Sequence, residues 1–581
     1  MKVKYIKKIL PFSLIILILL FLSFLSTSSI FIRNYHQIAM ASPTQEKRDD
    51  AFETFQKGFC GLNAKPNFTG YITEYVLPQD CEMPLGIAVD EEDEDDAKKV
   101  WYVSTNKGLL GSYSIEENKF NQERIPEWKS RENLRDFSQV WDLKIDEKDE
   151  NIWFTDEKQN AIWRYIKSSN IFEKYLVPGE SKDFGTTYPV FIEFDPNDHN
   201  ILYFVGMFSP SLWIAKIDKL KNGTSEGILE IPIPINAFRG IDPVYVTTGS
   251  IAFDDNEDAI WVSMMIYGYK GQIFRYDLDT ESFDIFDLPK ELSSPWGLSV
   301  DNDGNLWVTN AGTSIFYKFD PPDDSGKNAH IEKFVTSTAS PRIFGKSAEN
   351  NTERDFQSGY YTLPSLIKKS EERDIWFNEQ HGNKISKFDP SDRKLIEYWI
   401  PTQNRLWGIC SNEDNSNGSN NNNNNTCGIA NVLQFSITQN DNNNDEQIWF
   451  TEWSENKIGK LEADNKNLPF SIAVFESDKE LTMERGEREK IKLRVKTSES
   501  PSSPIDNIRM IASGTFTSIG DLGNSTGYFT EQSISMDAEE EQDISFIFIP
   551  SIDLKPGDYT LMIGAENGSV SYLRAIKVTI T

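Results

Sequence analysis

The sequence predicts an all-β chain, a seven-bladed β-propeller followed by an immunoglobulin-like β-sandwich. Three observations carry this. A short phrase recurs: IWFTDEKQNAIWRY from Ile152, IWFNEQHGNKISKF from Ile375 and IWFTEWSENKIGKL from Ile448, with looser copies from Val100, Ile260 and Leu306. Apolar residues alternate with period two between closely spaced polar turns, which suits strands and not amphipathic helices. After about Leu468 the repeat stops and longer alternating strands take over.

In chain order, Lys2, Lys4, Lys7 and Lys8 precede an apolar run from Ile9 to Leu25 that resumes to Ile32. Residues 1–42 are expected to be either a signal peptide cleaved after Ala39-Met40-Ala41 or a membrane anchor formed by residues 9–32. Both readings export the chain beyond residue 42, because the lysine cluster stays inside. Residues 43–69 read as a linker. An even number of cysteines in an exported chain suggests disulfides. Cys60–Cys81 and Cys410–Cys427 are the expected pairs, with the other pairings open. The second pair brackets NSNGSNNNNNNT, a low-complexity insert that cannot fold alone. Sequons at Asn67, Asn222, Asn424 and Asn524 fit an extracellular surface.

Residues 70–465 form the propeller. Each unit opens on an alternating strand ending in an acid, such as LGIAVD at Leu85 or GLSVD at Gly297. A polar turn leads to the aromatic strand, a second turn to a strand such as KISKFDP at Lys384, and a last strand ends in proline, as in LIEYWIP at Leu395. Four short strands per repeat make a propeller blade. The unit ending at Leu461 lacks its proline-ended strand, whereas YITEYVLP (71–78) stands alone at the start. Residues 71–78 are therefore expected to supply the outer strand of the last blade and close the ring. Residues 466–581, with KIKLRVKT, DISFIFIP and KPGDYTL, read as the immunoglobulin-like sandwich.

A formal charge of −31 repels phosphate backbones and argues against non-specific nucleic-acid binding. The expected partner is an extracellular small molecule, glycan or peptide, met by a monomer that touches a membrane only through its N-terminal segment.

Candidate chemistry lies on the face where the inner strands begin and the aromatic strands end. There Asp156, Glu379 and Glu452 follow the aromatic strand, with Asn160, Asn383 and Asn456 four residues later. These acids are candidate metal ligands, and Glu379, His381 and Glu452 a candidate catalytic set. The asparagines are read as left-handed turn residues. Asp301-Asn302-Asp303-Gly304 resembles the start of a calcium loop but lacks the distant glutamate, and reads as a turn. Aligning the units places Trp141, Trp296 and Trp407 at equivalent positions at the axial mouth, where other units carry Leu85, Val190, Gly249 and Pro364. Three tryptophans could stack on a sugar or apolar ring, aided by Gln139 and Asp142, or could plug the channel as packing.

The phrase WFTE-x-x-x-N-K-I-G-K at Trp449, with Pro84-Leu85-Gly86-Ile87, resembles the streptogramin (virginiamycin B) lyase family of seven-bladed propellers over roughly residues 70–465. A weaker resemblance is to gluconolactonase-like propellers. The first resemblance implies metal-assisted elimination in a cyclic depsipeptide, with a histidine base and magnesium. The second implies lactone hydrolysis with a divalent ion held by acids and asparagine. Magnesium or calcium is thus the cofactor an enzymatic reading would need. The family's histidine positions match Trp296, Pro364 and Trp407, none of them histidine, so a ligand-binding or scaffold propeller is the first expectation and a lyase or lactone hydrolase the alternative.

Overall fold

The computed structural model describes residues 60–61, 65–90, 98–128, 139–178, 187–207, 209–234, 246–254, 258–266, 270–322, 329–337, 361–404, 428–439, 445–463, 468–475, 478–499, 505–517 and 520–581. Residues 9–32, Trp407, Cys410 and Cys427 lie outside them. No helix among the described residues is long and apolar enough to cross a membrane.

The alternating strands assemble into seven four-stranded antiparallel units arranged as a propeller. Their inner strands are Pro84–Asp90, Leu143–Ile145, Pro189–Phe194, Val246–Asp254, Pro295–Val300, Pro364–Lys369 and Val432–Gln439, here numbered blades one to seven. Neighbouring inner strands touch around the whole circle, and blade seven meets blade one. Ile72–Val76 is the outermost strand of blade seven. It runs antiparallel to Lys457–Glu462, with Ile72 opposite Leu461 and Val76 opposite Lys457. The N-terminal part of the chain thus completes the sheet begun by its last repeat, which leaves the ring without a gap.

The core lies between blades. Trp153, Trp261, Trp307, Trp376 and Trp449, the second residues of the aromatic strands, are all fully buried. Burying side chains of this size contributes roughly 1.5–3 kcal/mol each, so the repeated phrase is chiefly a packing device.

The segment expected as linker is engaged at its end. Cys60 is buried and disulfide-bonded to Cys81, just ahead of blade one, so the covalent loop encloses the closing strand. Gly61, with φ of +65°, lies against the Glu455 backbone, where a Cβ would come within 2.6 Å.

The C-terminal region forms two facing sheets. Phe470–Val474, Glu489–Thr497, Glu541–Ile549 and Thr526–Phe529 make one. The other contains Glu480–Met483, Ile505–Gly514, Ser533–Met536, Gly557–Glu566 and Val570–Ile580. This second sheet joins the propeller. Val570–Ile580 pairs antiparallel with Lys394–Trp399, the outer strand of blade six, giving one nine-stranded sheet. Arg574 reaches Asp392 through two bonds of 2.6 Å, and Met562, Leu573 and Ala575 pack with Phe316, Phe377 and Phe388. The sandwich is anchored to blade six through residues 570–574 of its last strand.

Candidate functional site

The residues repeated in every blade have structural partners. Trp101, Trp261 and Trp307 donate their indole N–H to Asp90, Asp254 and Asp301 at 3.3, 3.2 and 2.8 Å. In these three blades the acid that ends the inner strand therefore satisfies a buried indole, a pairing that the turn reading alone does not reveal. Asp301 also accepts the N–H groups of Asp303 and Asn305, which makes 301–305 a turn organised by one carboxylate. Asn160, Asn383 and Asn456 adopt φ of 50°, 54° and 57°. Their amides donate to Val177, Ile400 and Gln79 carbonyls, and their side-chain oxygens accept N–H groups of Tyr188, Ala430 and Glu82 in the lead-in to the next blade. Each asparagine thus stitches one blade to the next.

The three candidate acids do not converge. Asp156 accepts from Trp163 and Gln159 within blade two. Glu379 is fully buried beside Lys384, whose Nζ lies 3.5 Å from Glu379 Oε2, 3.0 Å from Glu397 Oε2 and 2.5 Å from Ser337 Oγ. Burial, reinforced by the Glu397 charge and opposed by Lys384, pushes the Glu379 carboxyl up to about 8. Blade seven repeats this cage. Lys457 Nζ lies 2.6 Å from Glu74 Oε2 on the closing strand and 2.7 Å from Thr402 Oγ1. Burial and then Glu74 hold the Glu452 carboxyl well above the usual carboxylate range. Two acids sharing one lysine settle the charge by keeping one proton.

Among the described residues, the one group of three acidic, histidine or cysteine ligand atoms within 4.8 Å of one another is Glu372, Asp374 and Glu446. The metal set Asp156, Glu379 and Glu452 is therefore corrected: these carboxylates serve separate blades. The Glu372 group is itself served by Lys387, whose ammonium is 2.6 Å from Asp374 and 2.7 Å from Glu446. In the catalytic set, His381 shares no hydrogen bond or ion pair with Glu379 or Glu452 among the described residues. Burial pushes its imidazole down to about 4, so it is neutral.

Two of the three tryptophans meet on the axis. Trp141 of blade two and Trp296 of blade five come from opposite sides of the ring, yet their rings are 6.3 Å apart, edge to face. Phe191 of blade three packs on Trp296 at 6.0 Å. Both tryptophans are buried, at 4% and 7% exposure, which is too little for a stacking platform. Trp141 donates to Glu157 at 3.0 Å, and its carbonyl accepts from Gln434. The rings form a plug at the lead-in end, where the Gln139 carbonyl accepts the Glu157 N–H at 3.4 Å.

Strand register corrects two alignments. Pro364 pairs with Glu379 as Pro295 pairs with Asn310, so Ser365 is the blade-six equivalent of Trp296. Val432–Gln439 is the inner strand of blade seven, so Leu433 holds the position expected for Trp407.

Beyond the plug, toward the ends of the inner strands, lies an axial hollow of about 520 Å³. A second hollow of about 600 Å³ shares Lys144, Ile145, Glu147, Lys368 and Lys369 with it. Register defines one level around the hollow. The inner-strand residues opposite the aromatic-strand position of Trp101, Trp153, Tyr203, Trp261, Trp307, Trp376 and Trp449 are Ala88, Lys144, Glu193, Ala252, Ser299, Lys368 and Ser436. All seven line one or both hollows.

Four of these residues are small and leave space. The charged three are unequal. Lys144 Nζ is 2.7 Å from Glu193 Oε2, and Glu193 and Asp142 raise the lysine against the pull of burial. Lys368 donates to the Phe435 carbonyl at 2.6 Å and lies 5.2 Å from the Phe435 ring centre. Burial and then the Lys144 charge bring Lys368 down to about 8, against Asp142 and Glu193. Of the predicted binding residues, Asp142 does line the hollow. It accepts N–H groups of Leu143 and Ile192 at 3.1 Å each, and burial raises its carboxyl. The sequence pointed to the lead-in face and missed this ring. Its trace was LKI in blade two and LIKK in blade six, where other inner strands place small residues.

No protein-family model and no curated protein matches the chain. Among solved structures, the chain is similar to virginiamycin B lyase from Staphylococcus aureus, with 19% identity over 67% of this chain and 98% of that one, at a TM-score of 0.44. The extracellular domain of a one-component system from B. thetaiotaomicron aligns over 86% of this chain and 57% of its own, with 12% identity and a TM-score of 0.39. A luciferin-regenerating enzyme aligns over 56% of this chain and 92% of its own, with 12% identity and a TM-score of 0.34. The propeller assignment rests on the chain's own sheet order and closure.

Proposed function

We propose that this is an exported ligand-binding propeller whose site is the axial hollow at the ends of the inner strands, with the C-terminal sandwich, read as immunoglobulin-like, as a buttress. One observation carries the reading: the seven inner strands contribute one level of side chains to two adjoining hollows, behind which lies a plug of aromatic rings. Pockets that hold small molecules are of this size and combine apolar walls with few polar groups. The chemistry of the lead-in face favours a scaffold, since Asp156 and Glu379 are engaged within their own blades. Ser299→Trp, which places a bulky ring in the lining of the hollow, tests the proposal. In a thermal-shift screen of small metabolites on the full chain, compounds that stabilise the wild type are expected to lose their effect on the filled variant. Equal stabilisation of both proteins refutes the reading.

A further inference from the structure

From the ring of charges we infer that the ligand of the axial hollow is a small organic acid, its carboxylate bound by the Lys368 ammonium and its apolar body lying against Phe191, Ile251 and Leu366. The inference rests on the binding function proposed above and names the class of ligand for that site.

At the shared register level the chain places two lysines and one glutamate. Glu193 is taken by Lys144 at 2.7 Å. Among the described residues Lys368 has no carboxylate within 4.0 Å, and its hydrogen bond goes to a neutral carbonyl. The cage lysines Lys384, Lys387 and Lys457 each hold a carboxylate at 3.0 Å or closer. Lys368 is the exception, and it faces a space with room for a ligand. An ammonium partly withdrawn from water and short of a counter-charge gains a charge-assisted hydrogen bond when an anion arrives. Its lowered pKa agrees with that deficit. Phe191, Ile251 and Leu366 supply apolar wall beside it, so an acid with a hydrocarbon body satisfies both surfaces.

The test uses three probes of one shape on the full chain: 2-naphthoate, 2-naphthamide and 2-naphthylmethylamine, with affinities from calorimetry. The wild type is expected to bind naphthoate about tenfold more tightly than the amide, as one charge-assisted bond implies. Lys368→Met should erase that preference by weakening naphthoate more than the amide, while Lys368→Arg should keep it. Matching circular dichroism melts establish that the variants fold. Naphthoate no tighter than the amide, a preference that survives Lys368→Met, or strongest binding of the amine would each overturn the organic-acid assignment while leaving a binding hollow. If none of the three binds, the organic-acid assignment falls, and the Ser299→Trp screen decides the binding function separately.

Discussion

The two ends of the axial channel are built from the same seven inner strands and from opposite materials. At the lead-in end Trp141, Trp296 and Phe191 meet ring to ring, and buried lysines hold Glu379 with Glu397 in blade six and Glu74 in blade seven. At the other end the strands present alanines, serines, two lysines and a glutamate around open space. The first end is filled, and its buried charges are balanced by lysines. The second is unfilled and holds a cation without a carboxylate. Close packing and satisfied buried charge mark regions that hold a fold together, whereas space and unmatched charge mark regions with capacity to bind. Substitutions at the lead-in end should therefore cost stability, and those at the hollow should mainly alter binding.

The largest expected effect is at the blade-seven cage. Lys457→Met leaves the Glu74 carboxylate buried without its counter-charge, and should lower unfolding free energy by about 3–5 kcal/mol in urea titrations. Glu452→Gln should cost far less there, because burial and Glu74 already disfavour the charged form of Glu452. Trp296→Ala removes the ring that touches both others in the plug and should cost about 3–5 kcal/mol by the same measurement. A loss below about 1 kcal/mol would mean that the plug is not a packed element and would dissolve the contrast between the ends. Cys60→Ser, which frees the covalent loop around the closing strand, should cost about 2–5 kcal/mol and show as a lower calorimetric melting temperature.

The Glu379 cage gives a pH signature. Its carboxyl is raised from 4.5 to about 8, so the folded chain keeps a proton that the unfolded chain releases. The resulting stabilisation is fully present below the unfolded value and is lost as pH rises toward about 8. Glu379→Gln should flatten this part of the stability profile when denaturation midpoints are compared across that range. The smallest effect is expected at the hollow. Ser299 Oγ accepts the Lys369 N–H at 2.9 Å, so Ser299→Ala should cost only about 0.5–1.5 kcal/mol. A larger loss would make the hollow structural and blur the comparison from the other side.

Much of the fold was legible in the sequence, because a repeated packing solution leaves a repeated spelling. The buried tryptophans, the left-handed asparagines and the period-two strands were visible for that reason. The seventh inner strand was harder to place. The motif-like LWGIC stands before the Asn-rich insert, while the strand itself, VLQFSITQ, comes after it without the usual proline and glycine. That displaced the alignment onto Trp407. The cages were written in the sequence as Glu in TEYV and IEYW together with the Lys of NKI, but a buried ion pair across three strands has no local period to reveal it. The axial ring was harder still. Lys144 and Lys368 stand far apart and become equivalent only when strand register is known, because the property that unites them is a height along the axis.

The closing strand carries a consequence for how the molecule is made. Ile72–Val76 is synthesised before any blade, yet its hydrogen-bonding partner Lys457–Glu462 belongs to the last repeat. Until the final repeat has been synthesised, that strand has no seat and the growing propeller has an open seam with unpaired edges, the state most prone to sticking to other chains. Ring completion is thus a late, all-or-nothing step. A chain cut short within the last repeat would lose the seam as well as one blade, and every blade before it would be left in an unsealed circle.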